Sequence, residues 1–362
     1  MTHEQKSIQR QQLILNGSIW KTLMVLSAPL TFAFFLDALF QLVDLLYVSQ
    51  LGSEHIAAMS LNMITGHFLY AMAIGPAIGL SSYVARKIGS NEISSATEAA
   101  NNGITLALII SVLLTVTGLV FGKQILAILG GRGYVLELAW KYLFIRLIST
   151  AFITMRIIVA GILRGEGDMK TAMYVLLVAT VTNIILDPIL IFGFWFIPPS
   201  GIQGAAMATA AADILGTVWL FNHLLQKKNI IKPDLKRIHL KIKVVFAIYR
   251  VGLPVALQNL AMVISFGFIA RLVSSYSHYA LAAAGIGTRL EMLAIVPIIA
   301  VSTSILTVVG QNYGAKNYQR VKLTAYAGST INAFIGLIIG SSFFFFPEFF
   351  IRLFNGNDEI LK

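Results

Sequence analysis

Residues 19–48 read IWKTLMVLSAPLTFAFFLDALFQLVDLLYV, an apolar run long enough to cross a bilayer that nevertheless holds two carboxylates, Asp37 and Asp44. About 20 apolar residues cross the hydrocarbon core as a helix. A charge at that depth is costly unless it faces water, a partner or a cation. Asp37 and Asp44 stand seven positions apart, two helical turns, so they share one face. The run far exceeds the roughly 7–15 residues of a signal-peptide core, so it reads as a retained first span.

Comparable runs recur along the chain. The pattern predicts an all-α polytopic membrane protein with nine helices, over about 19–48, 56–86, 98–121, 135–159, 170–196, 202–225, 243–272, 279–312 and 321–346. Composition agrees: 57% of the 362 residues are hydrophobic and only 12% are charged, about half the charged share of a soluble domain. There is no cysteine, which excludes disulfides and thiolate chemistry.

The net charge of +11 would point to nucleic acid in a soluble protein. Here the basic residues crowd the loops of one side. Lys6 and Arg10 precede the first span, Arg86 and Lys87 follow the second, and Arg164 and Lys170 flank the fourth loop. Lys227, Lys228, Lys232, Lys236, Arg237, Lys241 and Lys243 fill the sixth, and Lys316, Arg320 and Lys322 the eighth. The opposite side carries Lys123, Arg132, Arg352 and Lys362. The positive-inside rule then places the N-terminus in the cytoplasm and, with an odd span count, the C-terminus outside. Membrane lipids are the expected surroundings, and no nucleic acid is expected.

The domain reading is an N-terminal lobe of six spans over 1–226, a basic cytoplasmic linker over 227–242, and a partial C-terminal lobe of three spans over 243–362. The second block echoes the first. Setting Pro29 on Pro254 also aligns Ala57 with Ala282, Ala58 with Ala283, Gly89 with Gly314 and Gly103 with Gly328. Six spans in the first unit make the repeats parallel, related by an axis along the membrane normal, as in many transporters.

Further polar residues lie inside the spans. Asn183 and Asp187 are four apart, and Pro188 removes a helix hydrogen bond beside them. Thr209 and Asp213 form another pair four apart. Asp213 reads equally as a structural residue or a lining of the substrate path, and Asp37 as an entrance charge. Arg289 and Glu291 read as a gating or structural pair, and Arg146 and Arg156 as snorkelling or path-lining groups. Gly75 with Gly79, and the run AAMATAAA at 205–212, read as close helix packing. Carboxylate and amide oxygens of this kind suit a proton or a small alkali cation. RGEGD at 164–168 reads as a turn. No Walker loop, HExxH or histidine cluster is present, and nothing in the sequence assembles into an enzyme's catalytic cluster.

LFQLVDLLYVSQLG at 39–52, GPAIGLSSYVARKIGSN at 75–91, ILRGEGDMKTAM at 162–173 and TNIILDPILIFG at 182–193, with GIGTRLEMLAIVP at 285–297 and VVGQNYGAKN at 308–317, together resemble the multidrug and toxic compound extrusion (MATE) family. The resemblance implies a two-lobe helical bundle around a central cavity that exchanges organic, often cationic, compounds for Na+ or H+ across a bacterial cytoplasmic membrane. It implies no other cofactor and small organic cations or amphiphiles as partners. It maps the family's cation site onto Asp44, Asn183, Asp187 and Thr209, in the manner of the DinF-type branch, because the seventh span has no acid. Ser49 stands where a glycine is usual, and Asp37 is additional. The family has twelve helices, so the resemblance implies a chain that is C-terminally short, with an incomplete second lobe. A lipid-linked precursor flippase and a non-transporting membrane protein are the alternative functions. A monomer is expected unless a partner completes the second lobe.

Overall fold

The computed structural model describes residues 3–226, 230–234, 240–274 and 278–353, with some side chains of the first helix and of the second unit, Arg289 and Phe266 among them, outside that set. Much of the 227–242 linker, and the tail carrying Lys362, also lie outside the described residues.

Twelve helices are described, in the order α1 (His3–Asn16), α2 (Ile19–Ser49), α3 (Ser53–Gly89), α4 (Ile93–Ile128), α5 (Gly133–Ile148), α6 (Thr150–Glu166), α7 (Met169–Phe192), α8 (Gly201–Leu224), α9 (Ile242–Ser274), α10 (His278–Gly314), α11 (Tyr318–Phe345) and α12 (Pro347–Leu353). By length and composition eight pass as membrane spans, or nine elements when the bent pair α5–α6 counts as one. The fold is all-α and polytopic, as the apolar runs predict.

Two elements differ from the sequence reading. The segment expected as one span over 135–159 is two helices bent by 53°, running on to Glu166. The break falls at Ser149, where the Ser149 and Thr150 hydroxyls both donate to the Arg146 carbonyl. Serine and threonine hydroxyls that bond back onto the helix compete with the backbone ladder and bend it. The other difference is α1, a helix in what reads as a polar tail, anchored by Ile14, which is fully buried.

The repeat is visible in the element boundaries. Gly89 and Gly314 end α3 and α10 and stand 225 positions apart. The following turns match as well: Asn91 and Lys316, repeat mates, are two of the three non-glycine residues with positive φ among the described residues, at 60° and 61°. Such a φ is uncommon outside glycine, so its recurrence at mated positions marks the same turn made twice.

The units meet at the end of the bundle that carries Arg86, Arg164 and Lys316. Gly75 and Gly79 of α3 press on the backbone of Gly252 and Ile248 of α9. Small residues allow this backbone approach. Thr307 Oγ1 donates to the Arg164 carbonyl at 2.7 Å, and Gln311 Nε2 to the Gly165 carbonyl at 3.0 Å. These acceptors belong to the RGEGD segment. There α6 stops at Gly167, whose φ of 81° is left-handed, and Asp168 caps α7 by accepting from the Thr171 amide. The turn is as read; its exposed carbonyls are what the second unit grips.

Helix α1 crosses the same end. Arg10 pairs with Asp168 of the first unit. The Ile14 carbonyl accepts from Asn312 Nδ2 and Arg320 Nε, each at 3.1 Å, and the Gly17 carbonyl accepts from Arg320 as well. The linker runs along the start of α4, where the Lys241 amide donates to Asn102 Oδ1 at 2.7 Å and Lys241 Nζ meets Glu98 at 2.9 Å.

Candidate cation and substrate site

The first unit gathers its carboxylates between α2, α5, α7 and α8. Asp44 is 8% exposed and Asp187 is fully buried. Both face the same small volume and interact with one another. Neither oxygen of Asp187, nor Oδ1 of Asp44, accepts a hydrogen bond of normal geometry, although the Asn183 amide lies close enough to Asp187 to interact with it. Asn183, one turn before Asp187, donates through Nδ2 to Thr209 Oγ1 at 3.4 Å, and Thr209 donates to the Ala205 carbonyl at 2.9 Å. Tyr142 of α5 sits against Asp44, Asp187 and Thr209. Pro188 stands inside α7 and has no amide to offer the Ile184 carbonyl. The cluster is therefore rich in oxygen acceptors and poor in donors.

Asp213 is elsewhere in the same unit and differently held. Arg146 Nη1 donates to its Oδ2 at 2.8 Å, and Arg156 donates to Oδ1 through Nε at 3.1 Å and Nη2 at 2.8 Å. The two arginines reach it from opposite sides of the Ser149 break. Thr217 Oγ1 pins that break by donating to the Phe152 carbonyl at 2.9 Å. Arg146 and Arg156, which read as snorkelling or path-lining groups, are instead closed onto Asp213 as a buried ion triad.

Asp37 accepts from Gln41 at 3.1 Å and from Thr180 of α7 at 3.5 Å, and feels the Arg156 charge. Tyr70 of α3 is 43% exposed and lies within electrostatic range of Asp37, Arg156 and Arg164. Asp37 stands two turns before Asp44 on the same helix.

The remaining sequence candidates stand apart. Glu291 is exposed on α10 in the second unit, and the side chain of Arg289 lies outside the described set. Asp44, Asn183, Asp187 and Thr209 come together; Asp37 and Asp213 form neighbouring clusters joined to them through Arg156 and Arg146. Tyr142 had no signal in the sequence, because a lone tyrosine inside an apolar run reads as packing. Among the described residues no group of three or more His, Cys, Asp or Glu could hold a metal ion.

Comparison with known proteins places this geometry. The MatE family model matches residues 29–189 and again 254–362. The two matches begin at Pro29 and Pro254, the pair that set the repeat. An FAD transporter of Shewanella oneidensis is 27% identical over 96% of this chain and 77% of its own length. The multidrug export protein MepA of Staphylococcus aureus is 24% identical over 95% of this chain and 75% of its own. A solved outward-facing structure of a multidrug resistance MATE transporter of the MOP superfamily superposes with a TM-score of 0.88 at 30% identity, covering 94% of this chain and 75% of that one. The chain belongs to the MatE family of multi-pass membrane transporters.

Proposed function

We propose that the chain is a cation-coupled antiporter of the DinF-type branch that exports organic cations in exchange for Na+ or H+, with Asp44, Asn183, Asp187 and Thr209 as the coupling site. One observation carries this reading: Asp187 is fully buried, accepts no hydrogen bond of normal geometry on either oxygen, and faces a second carboxylate. Two bare carboxylates cannot share a low-dielectric volume at acceptable cost; a proton or a bound cation has to compensate them. Hard oxygen ligands suit a small alkali ion as well as a proton.

Export follows from how this site relates to the central cavity of the family. With the basic loops on the cytoplasmic side, the end where the two units meet faces the cytoplasm, which leaves the cavity open outward. Cation entry at Asp44 and Asp187 draws α2 and α7 together, and those helices also carry Asp37 and Thr180, which are joined by a hydrogen bond. Asp37 supplies the negative charge for an organic cation and Tyr70 an aromatic face. Asp213, closed by its two arginines, holds the wall of this unit rather than touching substrate, and Arg289 with Glu291 serve as a gating or structural pair of the second unit. The protein works in a bacterial cytoplasmic membrane, as a monomer, with its N-terminus inside.

A second reading concerns substrate charge. Arg164 and Arg156 lie beside Tyr70, a combination that suits a bulky aromatic anion, and the Shewanella relative is named as an FAD transporter.

Reconstituted chain loaded with ethidium, and in parallel with FAD, tests both readings under separately imposed Na+ and pH gradients. Ethidium efflux driven by one gradient and lost in Asp44→Asn supports cation export. FAD efflux alone supports the second reading. Flux of neither with altered cell-envelope precursors in vivo indicates a flippase, and no flux of any kind a non-transporting protein. Undiminished gradient-driven efflux in Asp44→Asn contradicts the site.

A further inference from the structure

Asp213 holds more positive charge than it needs. Arg156 alone balances its charge, with two hydrogen bonds to Oδ1, while Arg146 adds a second positive charge at Oδ2. Arg146 stands one turn before the Ser149 break, its side chain 13% exposed. It lies within electrostatic reach of Asp44 and Tyr142 as well as Asp213. A guanidinium is a weakly hydrated, permanently charged fork that suits such a buried position between carboxylates.

We propose that Arg146 is a tethered competitor for the coupling cation: held on Asp213, one turn along α8 from Thr209, it offsets one of the two charges of the Asp44–Asp187 pair, so that the site takes one monovalent cation. The inference rests on the reading of Asp44 and Asp187 as the cation site. The charge count supports it. Asp44, Asp187 and Asp213 against Arg146 and Arg156 leave a single negative charge. The other charged or titratable groups facing the cluster are Asp37 from α2, Tyr142 from α5 and, beyond Arg156, Arg164 from α6.

The triad also supplies the tether. Asp213 keeps Arg146 from collapsing onto Asp44 while a cation is bound. When the cation leaves, Arg146 turns toward Asp44 and Arg156 keeps Asp213 paired. The empty site then never holds two bare charges during the return step. Arg146 is thus a positioning residue that sets cation affinity without touching substrate.

Opposite effects from the two ends of one ion pair provide the test. Infrared difference spectra of the full chain in lipid, titrated with Na+ and separately with H+, report carboxyl occupancy independently of any transported compound; the band that Asp44→Asn removes identifies the site. Arg146→Gln is expected to lower the half-saturating cation concentration by roughly tenfold or more, the usual effect of an adjacent opposite charge. Asp213→Asn, which releases Arg146 toward Asp44, is expected to raise it by a similar factor, and Arg146→Lys to stay near wild type. A purely structural triad moves both variants in the same direction or leaves the midpoint unchanged, and either result overturns the proposal. Should Asp213→Asn fail to fold, equal midpoints for Arg146→Gln and Arg146→Lys also overturn it. If Asp44→Asn removes no cation-dependent band, the cation-site reading itself falls.

Discussion

Gly89 and Gly314, mates under the 225-residue repeat, each press on a backbone carbonyl three residues before the other: Gly89 on Gln311, and Gly314 on Arg86. Arg86 and Gln311 are themselves mates, and Ala85 meets its own mate Gly310. A contact between a residue and its own mate lies on the axis relating the two units. The closed end is therefore a two-fold seam of backbone on backbone, with no side chain to absorb a misfit. Gly89→Ala has nowhere to place its methyl group and is expected to part the units, at the roughly 1–3 kcal/mol typical of overpacking. The chain is free of cysteine, so Val308→Cys, buried beside the seam, reports the change. Maleimide labelling at that position should rise several-fold in the Gly89→Ala background; unchanged labelling would mean the seam is not what closes this end.

Helix α1 ties both units at that seam. Arg320 donates to the Ile14 and Gly17 carbonyls, and Asn312 shares the Ile14 oxygen. A hydrogen bond from a charged group contributes about 1.5–3 kcal/mol. Arg320→Ala should therefore speed amide exchange along α1 by roughly tenfold or more. Exchange at the wild-type rate would show that α1 is held by its remaining ties, Ile14 burial, Asn312 and the Arg10–Asp168 pair, without Arg320.

The other tie, Arg10 to Asp168, sets a limit on pH sensitivity. Burial raises the Asp168 carboxyl, but the Arg10 charge and the Thr171 amide outweigh it and hold the group below its ordinary 3.8. A depressed carboxylate contributes stability that is present above the unfolded value and lost as pH falls through the folded one. The difference in α1 protection between wild type and Asp168→Asn should thus stay constant through neutral and mildly acidic pH and shrink only below about 3.8. A difference that disappears near neutrality would assign the contact the wrong sign.

Much of this was legible in the chain. Apolar runs predict every crossing element, because a bilayer demands long uninterrupted stretches whatever the tertiary packing. The repeat shows in Pro29 and Pro254. Asp44, Asn183, Asp187 and Thr209 came from the family motifs. What stayed hidden depends on contacts between distant helices. Ser149 breaks a span with neither proline nor glycine, so no local signal marks it. Asp213 finds its arginines 57 and 67 positions away, beyond any spacing rule. Helix α1 is polar on most of its length and is secured by carbonyls that other elements reach.

The Asp213 triad should also be a stability element. Removing one partner of a buried ion pair costs about 3–5 kcal/mol, because the remaining charge is left uncompensated. Asp213→Ala strands Arg156, leaving Arg146 only Asp44 to turn to, and is expected to lower the detergent thermal midpoint clearly, whereas a triple change of Arg146, Arg156 and Asp213 to apolar residues should recover most of it. Equal midpoints for wild type and Asp213→Ala would show the triad to be solvated.

The most direct measurement is cation uptake by the chain itself. Purified protein in lipid is equilibrated with Na+ and with H+ in parallel, and bound cation is counted for wild type and for Asp187→Asn. Wild type is predicted to take up one of these ions saturably at neutral pH, and Asp187→Asn, folded to the same extent, to lose that uptake. Saturable uptake of the same ion, at the same stoichiometry, by Asp187→Asn would contradict the placement of the coupling site between α2 and α7.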